Sequence, residues 1–257
     1  MIEETRKHVI SYLDKDVRYD GRKKYQYRDI KVETGIVKTS EGSARVIIGD
    51  TEVLAGVKFE VGEPYPDKLD EGTMMVSAEL IPLSNPEYEP GPPSIEAIEF
   101  ARVVDRSIRE SNTIDTKKLC IKKGELVWTV IVDLVPINDA GNLFDAFALA
   151  ATLALKDARF PVLEDGVINY KEKTDEKLPL RGLPVSVTVI KIKDNYIVDP
   201  LLEEEKVLDA RLTISLLEDG KICALQKGGE IPLSLEDIKQ MIDIADKKSE
   251  ELRKYLK

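Results

Sequence analysis

Twice along this chain a set of short strands joined by tight turns gives way to a helix, and that alternation restricts the fold more than any other feature. From Ile30 to Val61 apolar and polar residues alternate in runs (IKVETGIVKT, SARVIIG, TEVLAGVKFEV) broken at Glu41-Gly42 and Gly49-Asp50, which predicts hairpin strands. An apolar strand, TMMVSAELIPL, follows an acidic loop, and then five prolines from Pro82 to Pro93 rule out regular structure, because each fixes φ and removes a donor. Residues 94–111 read as a helix, with Ala97, Phe100, Ala101, Val104 and Ile108 on one face. The run LVWTVIVDLVPI, apolar nearly throughout, predicts a strand covered on both faces. After the turn Asp139-Ala140-Gly141-Asn142, the alanine-rich LFDAFALAATLALKDA predicts a buried helix.

The pattern then repeats. LPVSVTVIKI, YIVDP and ARLTISLLEDGKICALQKGG predict strands with turns at Asp194-Asn195 and Asp219-Gly220, and Ser234 with Asp237 three residues on caps a last helix through Ile238, Met241, Ile242, Ala245 and Leu252. Ile2, Arg6, Val9, Ile10 and Leu13 mark a short surface helix at the start. The expected organisation is an α+β fold of two similar βα halves packed together. An N-terminal helix and basic turn occupy residues 1–25, the first half 26–162, a charged, irregular linker 163–180, and the second half 181–257.

A chain of 257 residues buries enough surface to fold without staples. Cys120 and Cys223 match no disulfide or zinc spacing and are expected to be buried free thiols in a reducing cytoplasm. No apolar run reaches the roughly 20 residues of a membrane span, and the charged start is unlike a signal peptide, so a cytoplasmic location is expected. A net charge of -10 argues against non-specific grip on nucleic acid, so any such contact must be local. The single histidine, His8, nearly excludes chemistry built on an imidazole base.

Four constellations stand out. Arg102, Arg106 and Arg109 fall at i, i+4 and i+7, within an arc of about 60° on one helix. They form either a stripe for an anionic ligand such as phosphodiester oxygens or a solvated face neutralised by Glu99, Asp105 and Glu110. Asp199-Pro200, followed by Glu203, Glu204 and Glu205 at a strand end, could hold a hard cation, serve acid/base chemistry, or be an acidic surface loop. The Asp139 to Asn142 turn precedes a helix N-terminus but offers neither cation nor hydroxyl, which points to capping, with Asp145 answering the dipole. Arg18-Tyr19-Asp20-Gly21-Arg22 is a compact basic turn with no chemical task of its own.

In this order these pieces resemble the RNase PH family. The likeness runs through Arg18 to Arg22, Gly42-Ser43 leading to Gly49-Asp50-Thr51, Glu89-Pro90-Gly91-Pro92-Pro93 and Asp199-Pro200 with Glu203 to Glu205, covering about Arg18 to Leu252. Within the family, Gly62-Glu63-Pro64-Tyr65-Pro66 and Ala101-Arg102-Val103-Val104-Asp105-Arg106-Ser107 are similar to the non-catalytic ring subunits of archaeal exosomes. The resemblance implies a fold like ribosomal protein S5 domain 2 and a six-membered ring alternating with a catalytic paralogue, capped by S1/KH-type RNA-binding proteins. Single-stranded RNA would be shortened there from its 3′ end by phosphate. Catalytic members carry Gly-Ser-Arg where this chain has Gly141-Asn142-Leu143, so phosphate lacks its anchor. Asp199 aligns with a carboxylate of the family's active site, and Glu205 falls at the spacing of a second one, which is aspartate in catalytic members; both are expected to be vestigial, holding no metal. Arg102 and Arg106 correspond to arginines on the RNA path, and Arg109 extends them by helical geometry. No cofactor is implied. The alternative is that the chain is itself a phosphate-dependent 3′-to-5′ exoribonuclease using Asp199 and Glu205.

Overall fold

The computed structural model of the chain describes residues 2–164 and 166–257. The first half contains α1 (Ile2–Leu13), β1 (Ile30–Thr34), β2 (Gly42–Ile48), β3 (Thr51–Gly62), β4 (Thr73–Ala78), α2 (Ile95–Glu110), β5 (Cys120–Lys122), β6 (Leu126–Asn138) and α3 (Leu143–Asp157). A hairpin of β7 (Arg159–Glu164) and β8 (Val167–Lys177) leads to β9 (Val185–Ile192), β10 (Asn195–Val198), α4 (Leu202–Glu205), β11 (Ala210–Leu216), β12 (Ile222–Gly228) and α5 (Leu235–Arg253). The halves are the α+β pair that the alternation predicts. No helix among the described residues is long and apolar enough to cross a membrane.

The first sheet runs β1-β2-β3-β6-β4, with β5 hairpinned onto β6 and only the β4–β6 pairing parallel. Period-2 alternation puts Ala44, Val46, Ile48, Val53, Ala55, Val57, Phe59, Val130, Val132 and Leu134 on its fully buried face, against α3. The second sheet runs β10-β9-β11-β12, all antiparallel. Its two faces differ in chemistry. Ser186 reaches Ser107 of α2 at 3.3 Å and Ser215 at 2.8 Å, and Thr188 pairs with Thr213 at 2.9 Å, so a hydroxyl-lined face meets α2 and α3. Val185, Val187, Val189 and Lys191 point the other way, where the Lys191 ammonium donates to Asp237 of α5 at 2.6 Å. Thus α2 and α3 lie between the two sheets and α5 covers the far side.

Local chemistry sets α2 in this sandwich. Ser94, straight after the proline loop, accepts the Ala97 amide at 3.2 Å as an N-cap. Phe100 then packs against Phe144 and Phe147 of α3, with ring centroids 4.5 and 5.5 Å apart. At the other end of the chain Ser234 and Asp237 form the expected capping box of α5.

Several expectations are corrected. Residues 163–180 are not irregular, because β8 spans most of them. Its residues are mainly exposed on both sides, so no apolar alternation marked the strand. Strand β6 is covered on one face only. Its other face is half-buried, with Asp133 exposed and accepting the Ser77 hydroxyl at 2.6 Å. The strand expected over residues 73–83 ends at Ala78. Cys120 and Cys223 are free but half-buried rather than buried. Gly42 is no turn residue: it opens β2 against the C-terminal end of α3, and an added Cβ would lie 2.3 Å from the Ala154 carbonyl oxygen and 2.7 Å from Ala158 Cα. Backbone cannot yield like a side chain, so Gly42→Ala is expected to cost about 3 kcal/mol in urea unfolding, with the slope of the transition unchanged.

Candidate functional site

Asp199 leaves β10 in a left-handed conformation, φ 49°, which turns its buried carboxylate back toward the N-terminus of α3. Five donors converge on it. Arg22 Nη1 donates to Oδ2 at 2.7 Å, the Arg28 amide and Nε to Oδ2 at 2.8 and 2.9 Å, and Arg28 Nη2 and Asn142 Nδ2 to Oδ1 at 2.7 and 3.0 Å. A carboxylate offers about four lone-pair directions, so these five donors saturate it.

The residues around it are tied just as closely. Arg18, 1% exposed, donates to the Val198 and Asp199 carbonyls at 2.8 and 2.7 Å and ion-pairs with buried Glu204. Arg28 donates to the Ala140 and Gly141 carbonyls at 2.9 and 3.0 Å, and the Thr51 hydroxyl donates to Gly141 at 2.6 Å. Gly141 has φ 92°, and a Cβ there would meet the Pro200 oxygen at 2.4 Å. The Arg18 to Arg22 turn thus keeps an exposed tip but sends both arginine side chains inward, and Gly21, with φ 80°, lets it close.

The helix N-terminus itself departs from the capping expected of it. Asn142 is left-handed, φ 63°, and its side chain does not cap α3. Its amide N–H instead donates to Glu205 Oε1 at 2.9 Å, so a carboxyl group of the chain occupies the place where an anion would sit. Burial pushes this carboxyl up to about 8; the Asn142 N–H opposes, Asp139 adds to the rise, and Arg211 and Arg28 pull back. Asp145 is turned inward, accepting the Tyr27 hydroxyl at 2.6 Å and the Thr188 amide at 2.7 Å, and burial raises it to about 7 despite these donors. Glu205 opens onto a cleft of about 330 Å³ lined also by Tyr88, Glu96, Asp139, Phe144 and Arg211. The Arg211 guanidinium stacks 4.3 Å over the Phe144 ring and pairs with Glu99, fitting only because Gly228 beneath it has no Cβ.

The predicted arginine stripe divides into three cases. Arg109 is neutralised: Nε and Nη2 grip Asp105 at 3.0 and 2.7 Å, Nη2 also reaches the Met74 carbonyl, and the Asp105 bonds hold its pKa above the ordinary value. Arg106 donates to the neutral Gln226 Oε1 at 3.1 Å. Arg102 is exposed and has no hydrogen-bond or ion-pair partner among the described residues. Arg102 and Arg106 line a cleft of about 390 Å³ between α2 and β4 with Val76, Ala78, Ile98 and Ala101. Glu96, Glu99 and Phe100, on another side of the helix, line the Glu205 cleft. The structure thus brings Asp199 and Glu205 together at α3 but sets the arginines apart from them. Arg28 and Arg211, which complete the carboxylate region, carry no motif and were missed; only their pairing across the fold reveals them.

Two outcomes follow. Replacing Asp199 by Asn leaves Arg28 with no carboxylate and Arg22 with Asp20 alone, an expected loss of about 3 kcal/mol in denaturant unfolding that added Mg²⁺ does not restore. For Glu205, whose ordinary value is 4.5, a folded value near 8 means folding favours the protonated form. Its contribution is fully present below about pH 4.5 and is lost as pH rises through about 8. Urea melts from pH 5 to 9 should show that decline, and Glu205→Gln should flatten it, leaving the part owed to Asp145.

The comparisons agree with this architecture. The family model for the 3′ exoribonuclease family, domain 1, matches residues 26–161, and that for domain 2 matches residues 182–248. The "Exosome complex component Rrp42" of Methanothermobacter thermautotrophicus is 43% identical over 256 residues, 99% of this chain and 94% of that protein. The protein of the same name from Thermococcus gammatolerans is 46% identical over 259 residues, 98% and 93% of the two chains. A chain of the Archaeoglobus fulgidus exosome, solved with RNA bound to the active site, superposes with a TM-score of 0.92 at 43% identity, covering 100% of this chain and 99% of that one. With both halves matched in order and the fold shared end to end, the chain belongs to the RNase PH family of 3′ exoribonucleases.

Proposed function

We propose that the chain is the non-catalytic, RNA-contacting subunit of a phosphorolytic exosome ring in the cytoplasm. It would alternate with a catalytic paralogue in a hexamer, beneath S1/KH-type cap proteins. The observation that carries this reading is the separation at α2. The carboxylates at the family's active-site positions are engaged within this chain, Asp199 by five donors and Glu205 on the Asn142 amide, whereas Arg102 and Arg106 line a different cleft, beside Asp105 and Glu110, with no ion pair of their own among the described residues.

Phosphorolysis needs a cation to hold the attacking phosphate and to offset charge in the transition state. At the start of α3 this chain offers Asn142 and Leu143, with Glu205 already on the free N–H. Arg102 and Arg106 suit the other half of the task, because exposed or half-buried guanidiniums grip phosphodiester oxygens without reading sequence. An acidic chain with net charge -10 can do this locally, the rest of its surface remaining solvated or packed on neighbours.

The alternative, a self-sufficient exoribonuclease, predicts nucleoside diphosphates when the purified chain meets labelled RNA, Mg²⁺ and phosphate. The expected result is none, with release appearing only when the catalytic paralogue is added. In the assembled ring, Arg102→Glu with Arg106→Glu should weaken single-stranded RNA binding by about 10- to 100-fold at low salt and leave assembly intact. Unchanged affinity in that double variant would refute the contact.

A further inference from the structure

Three arginines on one helix face meet three different fates, and the difference is chemical. Arg109 is held by a carboxylate, which orients its fork and cancels its charge. Arg102 is free, so its long side chain would lose rotamer freedom on gripping a ligand. Arg106 is the intermediate case. Its Nη1 donates to a neutral amide oxygen, Gln226 Oε1, at 3.1 Å, while the guanidinium keeps its full charge and its remaining donors.

The amide is itself placed by the fold. Gln226 lies on β12 in register with Thr213, whose hydroxyl pairs with Thr188, so it sits on the polar face of the second sheet that meets α2. Its Nε2 lies 3.4 Å from the Lys227 carbonyl. Only an oxygen can accept from a guanidinium, so that chemistry sets the amide's orientation. The helix is anchored beside it, for Ser107, the residue after Arg106, reaches Ser186 of β9 at 3.3 Å. The contact also joins residues 120 positions apart. An arginine of the first half is therefore aimed by a residue of the second.

We propose that Gln226 is the positioning residue of the RNA-contacting arginine, fixing Arg106, which lines the cleft between α2 and β4, without neutralising it. This rests on the RNA-contact reading above. A glutamate at position 226 would satisfy the same geometry but would repeat the Arg109 pairing and remove the charge. A methionine there would keep the length and remove the acceptor.

The test uses the ring assembled with the catalytic paralogue, a fluorescein-labelled oligoadenylate and no phosphate, so that binding is read without degradation. Gln226→Glu is expected to weaken binding about tenfold and to lower the dependence of log K on log salt by about 0.7, the value of one phosphate contact on a single strand. Gln226→Met should weaken binding about threefold with the salt slope retained, because charge remains and only orientation is lost. With Arg106→Ala in place, neither change should reduce affinity further. The proposal is overturned if both Gln226 variants bind as the parent ring does, or if their losses persist undiminished with Arg106→Ala, which would make the effect a general one on β12. These outcomes separate from failure of the underlying reading. If Arg106→Ala itself leaves RNA affinity unchanged, the RNA contact falls and Gln226 with it; if Arg106→Ala weakens RNA and the Gln226 variants do not, only the positioning role falls.

Discussion

The buried carboxylate of Asp199 is the constraint around which the two halves are assembled. A charge with no exposed surface is tolerated only when opposite charge and directed donors surround it, and here they come from two distant stretches of chain: Arg22 and Arg28 from the N-terminal segment, and Asn142 from the start of α3. None of these partners is optional. Arg28 also holds the Ala140 and Gly141 carbonyls, which keeps the turn before α3 pressed on Pro200, and Gly141 is tolerated there because a side chain would strike that backbone. The N-terminal segment, the α3 turn and the strand-end carboxylate are one unit of structure.

That unit has a chemical consequence. A carboxylate that serves as a proton acceptor or metal ligand needs a lone pair facing the reactant, and saturation by five donors removes it. A helix N-terminus that binds phosphate uses free N–H groups, and the Glu205 carboxyl takes that of Asn142, just before the first turn. On the proposed reading, the absence of serine and arginine at Asn142 and Leu143 and the engagement of the carboxylates support each other. The Glu205 carboxyl satisfies the Asn142 donor, and burial favours its protonated form.

Much of the fold was legible because its signals are local. Alternation marked β1 to β3, the aliphatic run marked β6, and Ser234 with Asp237 marked the start of α5. Strand β8 was hidden because its residues are mainly exposed on both sides, so the period-2 signal never arises. In the functional region, residue type and spacing singled out Asp199, Glu205, Arg102 and Arg106, but what each is bound to was invisible. Arg18 to Arg22 read as a compact basic turn with no chemical task, yet Arg18 is among the largest fully buried side chains. Ion pairs between residues more than 170 positions apart leave no periodic trace, and Arg28 and Arg211 had no motif to draw attention to them.

Within α2, charge alone does not decide which arginine can meet an external anion. Arg109 and Arg106 are both cations on one face, three residues apart, and differ in the acceptor each has found. Breaking a carboxylate pair to grip a phosphate exchanges one charge-assisted contact for another, with little net gain in a solvated setting. An arginine held by an amide keeps its charge available and has already lost part of its rotational freedom, so the same phosphate is bound with less cost in entropy. The acceptor on the neighbouring strand, rather than the number of arginines, sets how much of this helix is usable.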